Sequence, residues 1–280
     1  MIKKFLFLVL LSSFGLKPVF AQKIFFRNYT VMDGLCANTI WDIEQDDQGF
    51  MWFGTKYGLN RFDGHEFKSY QFDKKNKNTI GNNFIHKIFK YDANTFWIGT
   101  EEGIYIFDLT KENFTLYKPL GKIFINDIFR DSKNNIWIAT KTNGVYKYTT
   151  DKKHIDNYIQ SNNNQGLSSN EISKIIEDVN GQIWIGTYGK GIDVLNPINN
   201  TIKNFRNSTK SGSLSNNFVL SLFKDLNNDI WVGTMSGGLN CYSQINKSFK
   251  LYVKGSDSEI SDNIIRDIYQ HEKGHIYFAT

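Results

Sequence analysis

One aromatic tetrad recurs along the chain. It reads WFGT from Trp52, WIGT from Trp97, WIAT from Trp137, WIGT from Trp184, WVGT from Trp231 and YFAT from Tyr277, at spacings of 45, 40, 47, 47 and 46 residues. Twelve residues before each aromatic stands a branched aliphatic: Ile40, Ile85, Ile125, Ile172, Val219 and Ile265. Three residues before it stands Gly49, Asn94, Asn134, Gly181, Asn228 or Gly274. Copies with fixed internal offsets mark one supersecondary unit repeated in tandem. Gly and Asn tolerate φ > 0, so this last position is expected to be the left-handed residue of a tight turn.

Each unit divides into four short strands, a to d. In the first, strand a spans 39–45, b 50–55, c 59–63 and d 66–72, with turn residues between them. Strand d carries an apolar residue and an aromatic three apart: Phe67/Tyr70, Phe114/Tyr117, Ile155/Tyr158, Ile202/Phe205 and Phe249/Tyr252. The I-x-x-I spacing of strand a (Ile85/Ile88, Ile172/Ile175) suits a helical turn, but these segments are too short and too closely bounded by turn residues, so they read as buried strands. Four-stranded antiparallel units of 40–47 residues are propeller blades. The expected fold is therefore all-β, a β-propeller over 22–280, with blades at 38–72, 83–119, 123–160, 170–207 and 217–254 and a partial blade at 263–280. A lone sheet cannot bury both faces. The tryptophans are expected to fill the space between blades, each contributing roughly 4–6 kcal/mol of gross burial. The small residue two positions on (Gly54, Gly99, Ala139, Gly186, Gly233, Ala279) leaves room for the next blade's large side chain.

Phe26 and Tyr29 repeat the strand d pattern with no strands a–c before them, and the last unit stops after strand b. The expected inventory is five full blades, an N-terminal orphan outer strand and a half blade. Seven blades need about 315 residues, so the chain is expected to be the front of a longer protein, with a truncated reading frame or a ring closed by self-association as the alternatives.

Residues 1–21 read as a secretory signal peptide: Lys3 and Lys4, an apolar run over 5–11, and a small residue at Ala21. With abundant Lys, Asn and Ile pointing to a bacterium, the expected location is the periplasm. The formal charge is +5, but three lysines (Lys3, Lys4, Lys17) lie in the leader, leaving 30 basic against 28 acidic residues. With no dense basic patch, nucleic acid is not an expected partner. Cys36 and Cys241 are too few for a disulfide scaffold or a cysteine metal site, and a bond between them is not expected.

No catalytic constellation, cofactor or metal site is readable. Gly189-Lys190-Gly191 lacks the P-loop spacing and a following helix. The acidic turns at Asp46-Asp47 and Glu177-Asp178 lack the alternate-position ligands of a calcium loop, and read as turn formers accepting from backbone N–H groups. In an antiparallel blade the d–a loops and b–c turns share one end. The d–a loops vary in length and the b–c turns in chemistry, and variable loops on a rigid scaffold carry recognition. The candidate ligand-binding residues are Lys56, Tyr57, Glu101, Glu102, Lys141, Tyr188, Lys190 and Met235. Adjacent Glu101 and Glu102 could be paired acids, but neighbours on a turn usually diverge. Asn38, Asn83, Asn170, Asn217 and Asn263, two residues before strand a, are expected to satisfy loop backbone.

The unit I-x-x-I-x-x-D-x-x-G-x-[IF]-W-[IVF]-G-T-x-x-G-[GL]-[LI], seen best in 184–192 and 231–240, resembles the two-component regulator propeller repeat of Bacteroidetes hybrid sensor histidine kinases. The resemblance covers about 24–280. It implies a periplasmic sensor propeller for an extracellular oligosaccharide or other small ligand, with further blades and downstream signalling domains of a longer chain, as a homodimer, for partners. The sequence departs from the family pattern in showing no phospho-acceptor His context and no Gly-rich ATP-binding boxes, so phosphotransfer is not expected from these residues. D-x-x-G-x-x-W, as in 46–52 and 178–184, also resembles the Asp-box of sialidase-like and xyloglucanase propellers, where the box is structural and catalysis needs separate carboxylates. The alternatives are an extracellular carbohydrate-active lyase or hydrolase, and a protein-binding propeller.

Overall fold

In the computed structural model the described residues are 27–161, 166–255, 260–271 and 274–280. The signal segment and Phe26 lie outside them. Apart from two single-turn 3-10 helices, Val31–Asp33 and Lys118–Leu120, the regular structure is all strand. The first sheet is β1 (Ile40–Gln45), β2 (Met51–Thr55), β3 (Gly58–Phe62) and β4 (Phe67–Tyr70). The second is β5 (Ile85–Asp92), β6 (Thr95–Thr100), β7 (Gly103–Asp108) and β8 (Asn113–Leu116). The third is β9 (Ile125–Arg130), β10 (Ile136–Thr140), β11 (Val145–Thr149) and β12 (His154–Tyr158). The fourth is β13 (Ile172–Glu177), β14 (Ile183–Thr187), β15 (Ile192–Asn196) and β16 (Thr201–Phe205). The fifth is β17 (Val219–Lys224), β18 (Ile230–Thr234), β19 (Leu239–Ser243) and β20 (Ser248–Tyr252), and a hairpin of β21 (Asp267–Gln270) and β22 (Ile276–Ala279) follows. Every sheet is an antiparallel meander in chain order, and the first strands of consecutive sheets are neighbours. These are propeller blades, with strand a at the hub.

The core lies between the sheets. Each repeat Trp packs on the strand d aromatic of its own sheet: Trp52 on Tyr70 at 5.7 Å, Trp97 on Tyr117 at 4.9 Å, Trp137 on Tyr158 at 5.6 Å, Trp184 on Phe205 at 5.4 Å and Trp231 on Tyr252 at 5.7 Å. The pair then faces the next sheet, as where Trp52 meets Phe96 and Phe107 edge-on, both at 5.5 Å. The small residue after the Trp admits the next sheet. A Cβ on Gly54, Gly99, Gly186 or Gly233 would lie 2.8 Å from a methyl of Ile85, Ile125, Val219 or Ile265 respectively.

The I-x-x-I spacing has a specific cause. In each of the five full sheets strand a carries a β-bulge against strand b, at Trp41, His86, Asn126, Ser173 and Leu220. One extra residue shifts the side-chain alternation. Ile85 pairs with Thr100 and Ile88 with Ile98, so residues three apart are both buried in one cluster.

An Asp six residues before the indole closes the a–b turn. Asp46 Oδ1 accepts from the amides of Gln48 and Phe50, and Oδ2 from Trp52 Nε1 at 2.8 Å. Asp131, Asp178 and Asp225 repeat this on Trp137, Trp184 and Trp231 at 2.8, 3.1 and 2.8 Å. Gly49, Asn134, Gly181, Asn228 and Gly274 have the expected positive φ, but Asn94 does not. The second sheet has Tyr91 in place of the Asp, and β5 runs on to pair Asp92 with Thr95 in a two-residue turn that needs no left-handed residue there. Tyr91 stacks flat on Trp97 instead, at 5.0 Å and 2°.

Two flanks differ from the interior. Ile43 is 51% exposed, whereas its counterparts Ile88, Ile128, Ile175, Leu222 and Ile268 are at most 5% exposed against the preceding sheet. Tyr277, at the Trp position of the hairpin, is likewise half-exposed. Tyr29 packs on Phe62 at 4.9 Å and Phe67 at 5.7 Å, the place Tyr70 takes on the second sheet.

Candidate functional site

The last residue of the tetrad builds the loop end. The hydroxyls of Thr55, Thr100, Thr140, Thr187 and Thr234, all buried, donate across the b–c turn to the carbonyls of Gly58, Gly103, Gly144, Gly191 and Gly238 at 2.7–2.9 Å. Each hydroxyl also accepts a turn amide. The pre-strand asparagines fix the d–a loops. Asn38, Asn83, Asn170, Asn217 and Asn263 accept from the amides of Val31, Phe72, Gln160, Asn207 and Lys254. The main-chain carbonyls of Asn170, Asn217 and Asn263 accept from b–c turns of the preceding sheet. The loop end is therefore cross-tied from sheet to sheet, and its side chains project from a fixed frame.

On that frame an aromatic strip crosses the first three sheets. Trp41 lies 5.6 Å from Phe84 and 5.1 Å from His86; Phe84 and His86 stack at 4.6 Å; His86 meets Phe124 at 4.6 Å. Trp41 is 50% exposed. Lys141 Nζ stands 4.7 Å over Phe124, and Glu101 Oε1 lies 3.6 Å from His86 Nε2. That distance is too long for a hydrogen bond, and His86 Nε2 is buried without a partner. Burial holds the imidazole below its ordinary pKa with Lys141 assisting, against the pull of Glu101.

The predicted site residues separate into groups. Glu101 and Lys141 join the strip. Glu102 turns away to Lys122 at 2.7 Å, so the two glutamates are not paired acids: successive turn residues point apart. Lys56 folds over Tyr57 at 4.9 Å, and Tyr57 is 52% exposed. Tyr188 bridges Phe218 through the backbone, and burial raises its phenol pKa. Met235 donates its amide to Phe218 O and is half-exposed. Lys190 stands elsewhere, on a polar cavity of about 360 Å³ with Asp193, Asn204 and Arg206. Both cysteines are free, and burial pushes the Cys241 thiol up to about 12.

Sequence reasoning missed Trp41, Phe84, His86 and Phe124. The usable signal was the bulge residue and the residue before strand a, which recur at a fixed offset but vary in type. It also missed the hub. Two residues after each strand a aliphatic stand Asp42, Lys87, Asp127, Lys174, Ser221 and Asp267. Asp42 pairs with Lys87 at 2.9 Å and accepts from Ile88 N; Asp127 pairs with Lys174 at 3.4 Å and accepts from Ile175 N. Burial opposes the charge on Lys174, yet Asp127, Asp42 and Asp267 together raise its pKa. Alternating charge thus ties the inner strands together.

Comparison with known proteins agrees with this architecture. The two component regulator propeller family matches residues 34–57, 119–142 and 166–189. Histidine kinase P4 of Formosa agariphila is 42% identical over 76 residues, 26% of this chain and 6% of that protein. The extracellular domain of the hybrid two component system BT3049 of B. thetaiotaomicron superposes with a TM-score of 0.72 at 21% identity, over 91% of this chain and 40% of that one. A streptogramin B lyase superposes with a TM-score of 0.61 at 13% identity, over 85% of this chain and 75% of that one, which is a likeness of fold. The fold is thus a β-propeller, shared with the extracellular domain of that hybrid two component system. Three segments of the chain thus match the two component regulator propeller family, and the chain spans a small part of the kinase and under half of the extracellular domain it matches.

Proposed function

We propose that the loop end of this propeller recognises an extracellular oligosaccharide for a two component receptor, after export to the periplasm. Recognition, rather than turnover, is its task. The observation that supports this best is the Trp41–Phe84–His86–Phe124 strip: flat apolar rings set on a cross-tied frame, flanked by Glu101 and Lys141, which can bond hydroxyls. Likeness to sensor extracellular domains supports a sensing role. Calorimetry against an oligosaccharide panel tests it. Binding should weaken about tenfold or more in Trp41→Ala, as for an exposed aromatic anchor. A panel without a binder, or an unaffected Trp41→Ala, rejects the reading.

A second reading is carbohydrate cleavage, favoured by the approach of Glu101 to His86. Product release from the same panel, abolished in Glu101→Gln and kept in Glu102→Gln, would favour it.

A further inference from the structure

In the second to fifth sheets one residue of the c–d turn is left-handed: Glu112, Lys153, Asn200 and Lys247, with φ of 52, 50, 57 and 55°. The Glu112 turn meets strand d of the sheet before. Between the first and second sheets the contact is an acid–base cluster. Glu112 binds Lys68 Nζ, accepts from Tyr70 Oη at 2.8 Å, and has Arg61 Nη1 at 3.7 Å. The repeat register places Lys203 of the fourth sheet where Lys68 stands, and Lys247 of the fifth where Glu112 stands. Two cations therefore occupy the positions of an ion pair.

Lys203 and Lys247 are exposed and border a cavity of about 230 Å³ walled by Trp184, Phe205 and Tyr242. Among the described residues neither lysine has a carboxylate within 4 Å. Lys203 Nζ lies 4.5 Å over Phe205, and Lys247 Nζ donates to Gln244 Oε1 at 3.2 Å. That bond orients the amide, so Gln244 Nε2 is the donor, and it is buried with no partner. Buried donors without acceptors are rare and call for an explanation. Asp178 also borders the cavity, but its oxygens are taken by Asn180 N, Gln182 N and Trp184 Nε1.

We propose that this cavity binds a compact oxyanion, a carboxylate or sulfate carried on a small organic molecule. The anion takes the place that the Glu112 carboxylate takes between the first and second sheets, here between Lys203, Lys247 and Gln244 Nε2. The aromatic walls take the organic body. The site lies at the a–b and c–d end, opposite the aromatic strip, and does not rest on the function proposed above.

Titration calorimetry of the full chain with sodium sulfate, glucuronate and glucose at constant ionic strength tests it. Saturable binding of sulfate or glucuronate, with none of glucose, is the expected result. Saturation by only one anion supports the proposal and identifies the source. Lys247→Glu rebuilds the acid–base pair with Lys203, in a turn whose counterpart already holds Glu112. It should weaken anion binding at least tenfold while circular dichroism stays unchanged. Lys203→Met should weaken it at least threefold, and carries the same criterion should Lys247→Glu fail to fold. Neither anion saturating, or folded variants binding as tightly as the original, overturns the site.

Discussion

His86 is held between Phe84 and Phe124 with its Nε2 buried, and the cost of charging it there is a stability term that can be measured. Its folded pKa lies below the ordinary 6.5 because of burial. Between those two values the unfolded chain binds more protons than the folded one, so stability rises with pH through that window. Acidification from pH 7.5 to 5.5 should therefore destabilise the protein through this residue, by at most about 1.4 kcal/mol for each pH unit spanned. The difference in urea denaturation midpoint between the two pH values should shrink in His86→Phe, which keeps the ring stack and removes the titration. An unchanged difference would show that Glu101 compensates the charge fully.

At the scale of the blade, the repeat residues act through hydrogen bonds and through space left empty. Gly191 has φ +80, and a Cβ there would lie 2.1 Å from the Phe205 carbonyl oxygen. Gly255 has φ +83 and nothing within 4 Å. Both should lose about 1 kcal/mol on substitution by Ala from left-handed strain. Only Gly191→Ala should also push strands c and d apart, for a further cost of about 1–3 kcal/mol. Denaturant titration of the two variants separates the effects, and equal losses would mean that the turn at Gly191 relaxes freely. Much of this was legible in the sequence, because the fixed offsets of Trp, Gly and the strand a aliphatic encode which face each residue buries. The bulge was not. It appeared only as an i, i+3 spacing that a helical turn would also produce, and nothing local distinguishes an extra strand residue from a helical step. The second role of the Asp, accepting from an indole six residues on, was also hidden, since it depends on how the hairpin curls Trp52 back over Asp46.

Across the whole molecule, the hub shows what sequence order conceals. Asp42, Lys87, Asp127 and Lys174 are 40–47 positions apart, and their alternation has meaning only once successive sheets are set around one axis. The aromatic strip was missed for the same reason: Trp41, His86 and Phe124 come from three blades, whereas the b–c turn candidates were chosen blade by blade. The ring of charge also sets a difference between two substitutions at the hub. Asp127 is almost fully buried, and its carboxylate is held by Lys174 and by Ile175 N. Lys174→Met keeps the length of the stem but removes the cation, leaving Asp127 charged and unpaired except for one amide. The expected loss is about 3 kcal/mol, the range for breaking one side of a buried pair. Adding Asp127→Asn should recover part of it, because a neutral amide no longer needs the lysine while it can still accept from Ile175 N. The double variant should therefore unfold at a higher urea concentration than Lys174→Met alone. Losses that simply add would show that the two residues hold their blades independently, and that the alternation of sign around the axis has no energetic role in keeping neighbouring sheets in register.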